Sequence, residues 1–412
     1  MTAVFRSGDL VRCTYRGMDK KGVYITERDR MAVIKLDSGY NIGVPPVSCT
    51  LISRAAPVTP QQPQIVQDDK LPTLAIVSTG GTIASRIDYR TGSVTSQFNA
   101  ADILTAIPEL KEIANYRTIP LATILSENMT PPIWQELARA IFHEIKGGAR
   151  GIIVTHGTDT MAYSAAAISF MVDSPVPIVF VGSQRSADRP SSDNAMNAVC
   201  AAAAATSDLG EVAVVMHGTT NDDACAIHRG TRVRKMHTSR RDAFRSLGTE
   251  PIGTVEYPSR KVTLTPDAVR RGTREPALHD ALDPHCALVQ FFPGMSANLL
   301  KAYDGYHGLV IAGTGLGHTS TTLIPVLKQL ADNGTLIVMT SQCMHGRVCD
   351  RVYDTGRDLL DAGIIEGGDT LPEVALVKLM WVLANAPDRK TAVGMMQDCL
   401  KGECTRRSTH GL

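Results

Sequence analysis

Two glycine–threonine turns hold the residues of this chain best suited to acyl chemistry: STGGTIAS at 78–85 and THGTDT at 155–160. Between them they place the hydroxyls of Thr79, Thr82, Thr158 and Thr160 and one carboxylate, Asp159. Gly80-Gly81 ahead of Thr82 lets the backbone turn sharply and leaves amide N–H groups free to face a developing oxyanion. A threonine hydroxyl attacks a carbonyl only when something accepts its proton. A lysine whose pKa is lowered by burial or by neighbouring positive charge is one such acceptor. The run HRGTRVRKMHTSRRDAFR, 228–245, offers Lys235 among several arginines. Each piece also has a plainer use. Gly-Gly-Thr after a strand serves as a phosphate loop or a simple turn, and GTDT serves as a helix N-cap. A cationic run serves as a solvated face or an RNA-phosphate contact.

The elements around these turns put them where ligands bind. Leu74–Val77 (LAIV) and Gly151–Val154 (GIIV) are short β-branched runs of the kind found in buried parallel strands. In open α/β sheets the ligand sits beyond the carboxyl ends of such strands. The spacing predicts strands at 74–78, 151–155, 177–182 and 211–217 and helices at 99–115, 131–146, 160–172 and 193–206. Asn99 is the expected N-cap of the first helix, and Pro131-Pro132 opens the second. A second series follows, with strands at 286–292, 308–313 and 336–341 and helices at 323–332, 355–363 and 372–385. The alanine run 201–205 reads as a tightly packed helix, and the stripe Leu376, Leu379, Met380, Leu383 as helical core.

The first fifty residues read differently. Alternating segments at Asp9–Tyr15, Gly22–Ile25, Met31–Leu36 and Tyr40–Val44, broken by turn formers, predict a small barrel of four or five strands over 1–53. A proline-rich linker follows at 54–72. The expected division continues with a large α/β domain at 73–250, an interdomain connection at 251–285 and a smaller α/β domain at 286–412. The fold class is thus α/β, a small β-barrel ahead of a two-domain parallel-sheet body.

A net charge of +1 exerts no global pull on nucleic acid or an anionic membrane. The start MTAVFRSGDL lacks a signal-peptide core, no apolar run reaches membrane-spanning length, and nine scattered cysteines suit reduced thiols, so a cytoplasmic protein is expected. Cys343, His345 and Cys349 are the most metal-like cluster but lack a second pair at zinc spacing, so no metal is expected. GTGLG at 313–317 does not fit a dinucleotide fingerprint, and no GxxxxGK[ST] loop is present.

TGGTIA, THGTDT and RKMHTSRRDAF, in that order, resemble the bacterial-type L-asparaginase/glutaminase superfamily, as do AGTGLGH at 312–318 and the segment 353–383. The resemblance covers 72 to about 390; residues 1–53, with KLDSGYNIGV at 35–44, and ASRIDYRTG at 84–92 resemble the D subunits of archaeal-type glutamyl-tRNA(Gln) amidotransferases. That resemblance implies a glutamine amidohydrolase with Thr82 as nucleophile and Thr158 and Lys235 activating it or a water. Asp159 would hold the substrate α-amino group, and Ser126 and Glu127 would grip the α-carboxylate and amino group. Glu127 departs from the usual Gln or Asp, and Tyr89 falls in the lid segment at a shortened spacing. It implies a homodimer core, an E-subunit partner acting on tRNA(Gln), no cofactor in this chain, and ATP with Mg²⁺ on the partner. The alternatives are a stand-alone L-asparaginase and, from another class, a catalytically silent RNA-binding scaffold.

Overall fold

Alternation in the first fifty residues builds a five-stranded antiparallel sheet. Its strands are β1 (Leu10–Tyr15), β2 (Met18–Arg28), β3 (Met31–Leu36), β4 (Asn41–Val44) and β5 (Cys49–Ser53), in the order 4-3-2-1-5. Val11, Cys13, Ala32, Ile34, Ile42, Val44 and Cys49 bury one face. The sheet curls over that core until β1 also touches β4. In this computed structural model the residues described are 5–28, 30–38, 40–55, 68–81, 86–87, 94–95, 107–185 and 191–407.

Both ends of the linker are tied down. The Asp9 carboxylate accepts from the backbone N–H of Arg6 and Ala55 and pairs with Arg54 at 2.7 Å. At the other end Asn115 exchanges hydrogen bonds with the Asp68 backbone, at 2.9 and 2.7 Å. Most of the proline-rich stretch between them, 56–67, lies outside the described residues.

The large domain is an eight-stranded mixed sheet. Its parallel part comprises β6 (Thr73–Gly80), β9 (Asn115–Ile124), β10 (Gly151–Thr155), β12 (Ile178–Val181) and β13 (Val212–His217), adjacent in the order 9-6-10-12-13. A short pair, β7 (Arg86–Ile87) and β8 (Val94–Thr95), intervenes between β6 and β9. Because β9 lies on one side of β6 and β10 on the other, the winding reverses between β6 and β10. That is the switch point where α/β sheets open a crevice for ligands. The two Gly–Thr turns leave from these two neighbouring strands.

Helices cover both faces. α1 (Pro131–Lys146) buries Trp134, Leu137, Ala138, Ile141 and Ile145, one stripe at helical spacing. α2 (Met161–Met171) is buried almost throughout, so it shows no amphipathic stripe. α3 (Asn194–Thr206) carries the alanine run, whose small side chains let it press on the sheet; a Cβ on Gly151 would lie 2.1 Å from Ala205 O.

Two expectations need correction. The helix read over 99–115 is, in its described part, a 3-10 turn at Pro108–Glu112 that gives way at Asn115 to β9; residues 99–106, with the Asn99 cap, lie outside the described residues. β9 is a half-exposed edge strand containing Pro120, so its alternation is blurred. The span 251–285, read as an interdomain connection, also carries strands of the large sheet. After β14 (Ala224–Arg229) and the hairpin β15 (Val233–Lys235) with β16 (Phe244–Ser246), β17 (Gly253–Glu256) and β18 (Val262–Leu264) extend the large sheet antiparallel beyond β14. β19 (Ala277–Leu278) pairs with β11 (Val172–Asp173).

The smaller domain is a parallel sheet, β20 (Cys286–Gln290), β21 (Gly308–Gly313), β22 (Leu336–Ser341) and β23 (Ile365–Glu366), in sequential order. α4 (Ala297–Lys301), α5 (Ile324–Asp332) and α6 (Asp354–Asp361) link its strands. α7 (Pro372–Asn385) packs on α2, with Phe170 and Trp381 stacked at 5.9 Å, so one apolar core runs through both domains. α8 (Arg389–Gln397) follows, and the tail is pinned by Lys378 and Glu403, a fully buried pair at 2.7 Å.

Candidate active site

The turns after β6 and β10 approach until only backbone separates them. Thr79 Oγ1 donates to Thr155 O at 3.0 Å. Gly80 and Gly81 have φ of 107° and 90°, a region L side chains avoid. A Cβ on Gly81 would lie 2.6 Å from Gly157 N, and one on Gly80 would lie 2.6 Å from Ile124 O. Gly157 is constrained in turn, since its Cβ would meet Ser126 Cβ at 2.7 Å. Gly80, Gly81 and Gly157 are therefore required by close backbone approach. Thr82, which follows Gly81, and Tyr89 lie outside the described residues.

Three of the expected residues converge. Lys235 Nζ donates to Thr158 Oγ1 at 2.9 Å and to Asp159 Oδ1 at 2.7 Å, although Lys235 is 77 and 76 residues away in sequence. The capping use of Thr158 and Asp159 does not occur: Thr160 is the N-cap of α2, and its hydroxyl donates to Ser126 O at 2.7 Å. Ser126 is buried on a 3-10 turn, Ser126–Asn128, beside the β10 turn, while Glu127 on the same turn is exposed. His156 is buried with Nδ1 2.7 Å from Gly157 O, and burial lowers its pKa to about 4, so it stays neutral.

The strand bearing Lys235 is clamped to the smaller domain by the arginines before it. Arg234 Nε donates to Glu373 Oε1 at 2.6 Å, and its Nη2 reaches Glu373 Oε2. Arg232, fully buried, meets the Asp369 carboxylate at 2.9 Å and Gly402 O at 3.2 Å. Arg234 is thus compensated by a carboxylate and is not an uncompensated positive neighbour of Lys235. Sequence reasoning missed Arg232 and Arg234 as positioning residues. The alternation Arg-Val-Arg in a short strand was the available signal, but their partners lie 137 and 139 residues on.

A cavity of about 560 Å³ opens between the domains at this point. Asp159, Tyr163 and Lys235 face it from the large domain. Gln290, Ala312 and Ser341 face it from the carboxyl ends of β20, β21 and β22, so both sheets present the same strand ends to it. Gln342 supplies an uncharged amide wall, held by Nε2 bonds to Phe291 O and Ala312 O at 2.7 and 2.8 Å.

Cys343, His345 and Cys349, from which no metal site was expected, do not fall within mutual ligand reach among the described residues; Cys343 and His345 are exposed and Cys349 is half-buried. Among the described residues, the donor set lying within mutual reach is a different one, Asp283, His285 and His307.

Comparison with known proteins bears on this geometry. The profile "Asparaginase, N-terminal" matches residues 73–269 and "Glutaminase/Asparaginase C-terminal domain" matches 285–396. The profile "GatD N-terminal domain" matches residues 5–51. The D subunit of the glutamyl-tRNA(Gln) amidotransferase of Methanosarcina barkeri is 54% identical over 418 residues, covering 98% of this chain and 99% of the relative. The chain belongs to the family of glutamyl-tRNA(Gln) amidotransferase D subunits. The D subunit of Halobacterium salinarum is 53% identical over 420 residues, covering 97% of this chain and 98% of its own length. Among solved structures, the thermostable L-asparaginase from Thermococcus kodakarensis superposes with a TM-score of 0.74 at 32% identity, over 81% of this chain and 99% of its own. The two asparaginase profiles fall on the two-domain body, and the GatD N-terminal profile falls on the small sheet ahead of it.

Proposed function

We propose that this chain is the ammonia-releasing subunit of a tRNA-dependent amidotransferase, hydrolysing the side-chain amide of glutamine through a threonine ester. The observation that carries this reading is the convergence of Lys235 with Thr158 and Asp159 at the carboxyl end of β10, next to the strand from which Thr82 follows. Thr82 attacks the carboxamide carbon, its proton passes towards Thr158 and Lys235, and the oxyanion is met by N–H donors of the glycine turns. The amide nitrogen leaves as ammonia, and water then cleaves the glutamyl ester. Asp159, exposed towards the cavity, holds the α-amino group, and Ser126 and Glu127 lie on the turn assigned to the α-carboxylate side. Ammonia passes to a partner E subunit, where ATP and Mg²⁺ activate glutamate on tRNA(Gln). A homodimer core in the cytoplasm belongs to the same reading. Among the described residues no helix is long and apolar enough to cross a membrane.

The likeness to a free L-asparaginase favours a second reading, a stand-alone amidohydrolase acting on asparagine. The RNA-scaffold reading is weakened, because each arginine of 229–245 already pairs with a carboxylate of this chain. Arg229 pairs with Glu211, Arg232 with Asp369, Arg234 with Glu373, Arg240 and Arg245 with Asp242, and Arg241 with Asp222. The deciding experiment is ammonia release from glutamine and asparagine, with and without the E subunit and Glu-tRNA(Gln). Glutamine turnover that rises with partner and tRNA supports the proposal; high asparagine turnover indifferent to both favours the asparaginase.

A further inference from the structure

The register of the smaller sheet sets two histidines side by side at the end away from the cavity. Cys286, the first residue of β20, faces Gly308, the first of β21, so His285 and His307 immediately precede paired positions. His307 N donates to His285 O at 2.9 Å, and the ring centroids lie 5.0 Å apart. Asp283 completes the group. Its Oδ2 accepts from His307 Nδ1 at 2.6 Å, and its Oδ1 lies 3.4 Å from His285 Nδ1 and accepts from His285 N at 2.9 Å. One donor atom from each side chain falls within 4.8 Å of the others.

We propose that Asp283, His285 and His307 form a binding site for a divalent transition-metal ion of the zinc class. Two imidazoles and a carboxylate, with no thiolate, are donors of intermediate softness suited to Zn²⁺, Ni²⁺, Co²⁺ or Cu²⁺ rather than Ca²⁺ or Mg²⁺. Bonds of about 2.0–2.2 Å at tetrahedral angles set donors about 3.3–3.6 Å apart. The His285–Asp283 separation already has that value, and the His307–Asp283 separation is that of a shared proton. An ion replacing that proton, which leaves to solvent or moves to Nε2, opens the pair by less than ~1 Å at ordinary bond lengths. His285 and His307 have side chains 67% and 57% exposed, so both can adjust and water completes the coordination. The backbone is firmer: Asp283 N donates to Met380 O at 2.8 Å, and Leu336 N to His307 O at 2.9 Å. A bound ion would clamp the end of the segment entering the smaller domain to the start of β21. The site lies at the opposite strand ends from Gln290 and Ala312, so the amide cavity is untouched.

The test is titration of the full chain, stripped with a chelator, with Co²⁺ and then Zn²⁺. One Co²⁺ per chain is expected, with visible d–d bands but no near-ultraviolet thiolate charge transfer, displaced by Zn²⁺. The double variant His285→Gln/His307→Gln should bind at least ~10-fold more weakly, since losing a mere supporting partner already costs that much. Its circular dichroism and ammonia release should match the unsubstituted chain. Failure to bind Co²⁺ saturably, a thiolate band, or unchanged affinity in the double variant would overturn the proposal. As a separate check on the carboxylate, Asp283→Asn should weaken binding while leaving the two-histidine spectrum shifted rather than abolished.

Discussion

Replacing Lys235 by Met removes the ammonium but keeps most of the aliphatic stem, which separates what that group does for stability from what it does for chemistry. Its side chain is 13% exposed, whereas its carboxylate partner Asp159 is 68% exposed and open to the cavity. A pair screened on one side contributes about 0–1 kcal/mol to folding. In a domain of this size such a loss lowers Tm by about 2–4 °C. The chemical cost is of another order. If Lys235, through the 2.9 Å bond to Thr158 Oγ1, moves a proton in the rate-limiting step, its loss removes general acid–base catalysis. That is worth ~100- to 10,000-fold in rate, or about 2.7–5.4 kcal/mol of barrier. Ammonia release from saturating glutamine gives kcat, and thermal unfolding of the same sample gives Tm. A fall in kcat of at least ~100-fold with Tm nearly unchanged is expected. A rate within ~10-fold of the parent chain, or a collapse in Tm parallel to the loss of activity, refutes the assignment.

Three further outcomes follow from the geometry. Glu373→Ala strands the half-buried Arg234 and should cost ~3–5 kcal/mol, read as a fall in Tm, with much of it recovered when both residues are made apolar. Gly81→Ala should sharply reduce ammonia release, because φ is 90° and the new Cβ meets Gly157 N at 2.6 Å; Gly148→Ala, at φ 81° with nothing within 4 Å, should leave it intact. Asp350 is buried, and both its carboxylate oxygens lack hydrogen-bond partners among the described residues. Burial, and secondarily Glu366, raise its pKa from 3.8 to about 7. The folded state therefore holds its proton more tightly than the unfolded one, and the contribution is full below the unfolded value and lost as pH rises through 7. Denaturation midpoints should show Asp350→Asn gaining on the parent chain between about pH 4 and 7; parallel curves would contradict this.

How much was legible in the sequence depended on burial. β6 and β10 are runs in which nearly every residue is buried, so LAIV and GIIV announced themselves, and Pro131-Pro132 ahead of an apolar stripe fixed the start of α1. β9, half-exposed with a proline, lacks clear alternation, and the antiparallel β17 and β18 alternate but span only four and three residues, too few to distinguish them from loops. Within the site, Thr158 and Asp159 were marked by their turn. Lys235 was the one lysine of a cationic run, available as a base, and the resemblance gave it a specific role. Its partners are fixed by the β15 hairpin and by arginine clamps to Asp369 and Glu373, contacts more than a hundred residues long that no local pattern encodes. The trio Asp283, His285 and His307 was missed for the same reason: His307 is brought beside His285 by sheet register, not by spacing.

On the proposed mechanism the hydroxyl of Thr82 attacks the amide and carries the resulting ester. The most direct measurement is ammonia release from glutamine by Thr82→Ala in the assembled complex, with external ammonia as the control substrate. Glutamine-dependent release should fall by at least ~1,000-fold, as for loss of a nucleophile, while tRNA amidation from external ammonia persists. Glutamine-dependent release that survives the substitution at near-parent rate would rule out the Thr82 ester.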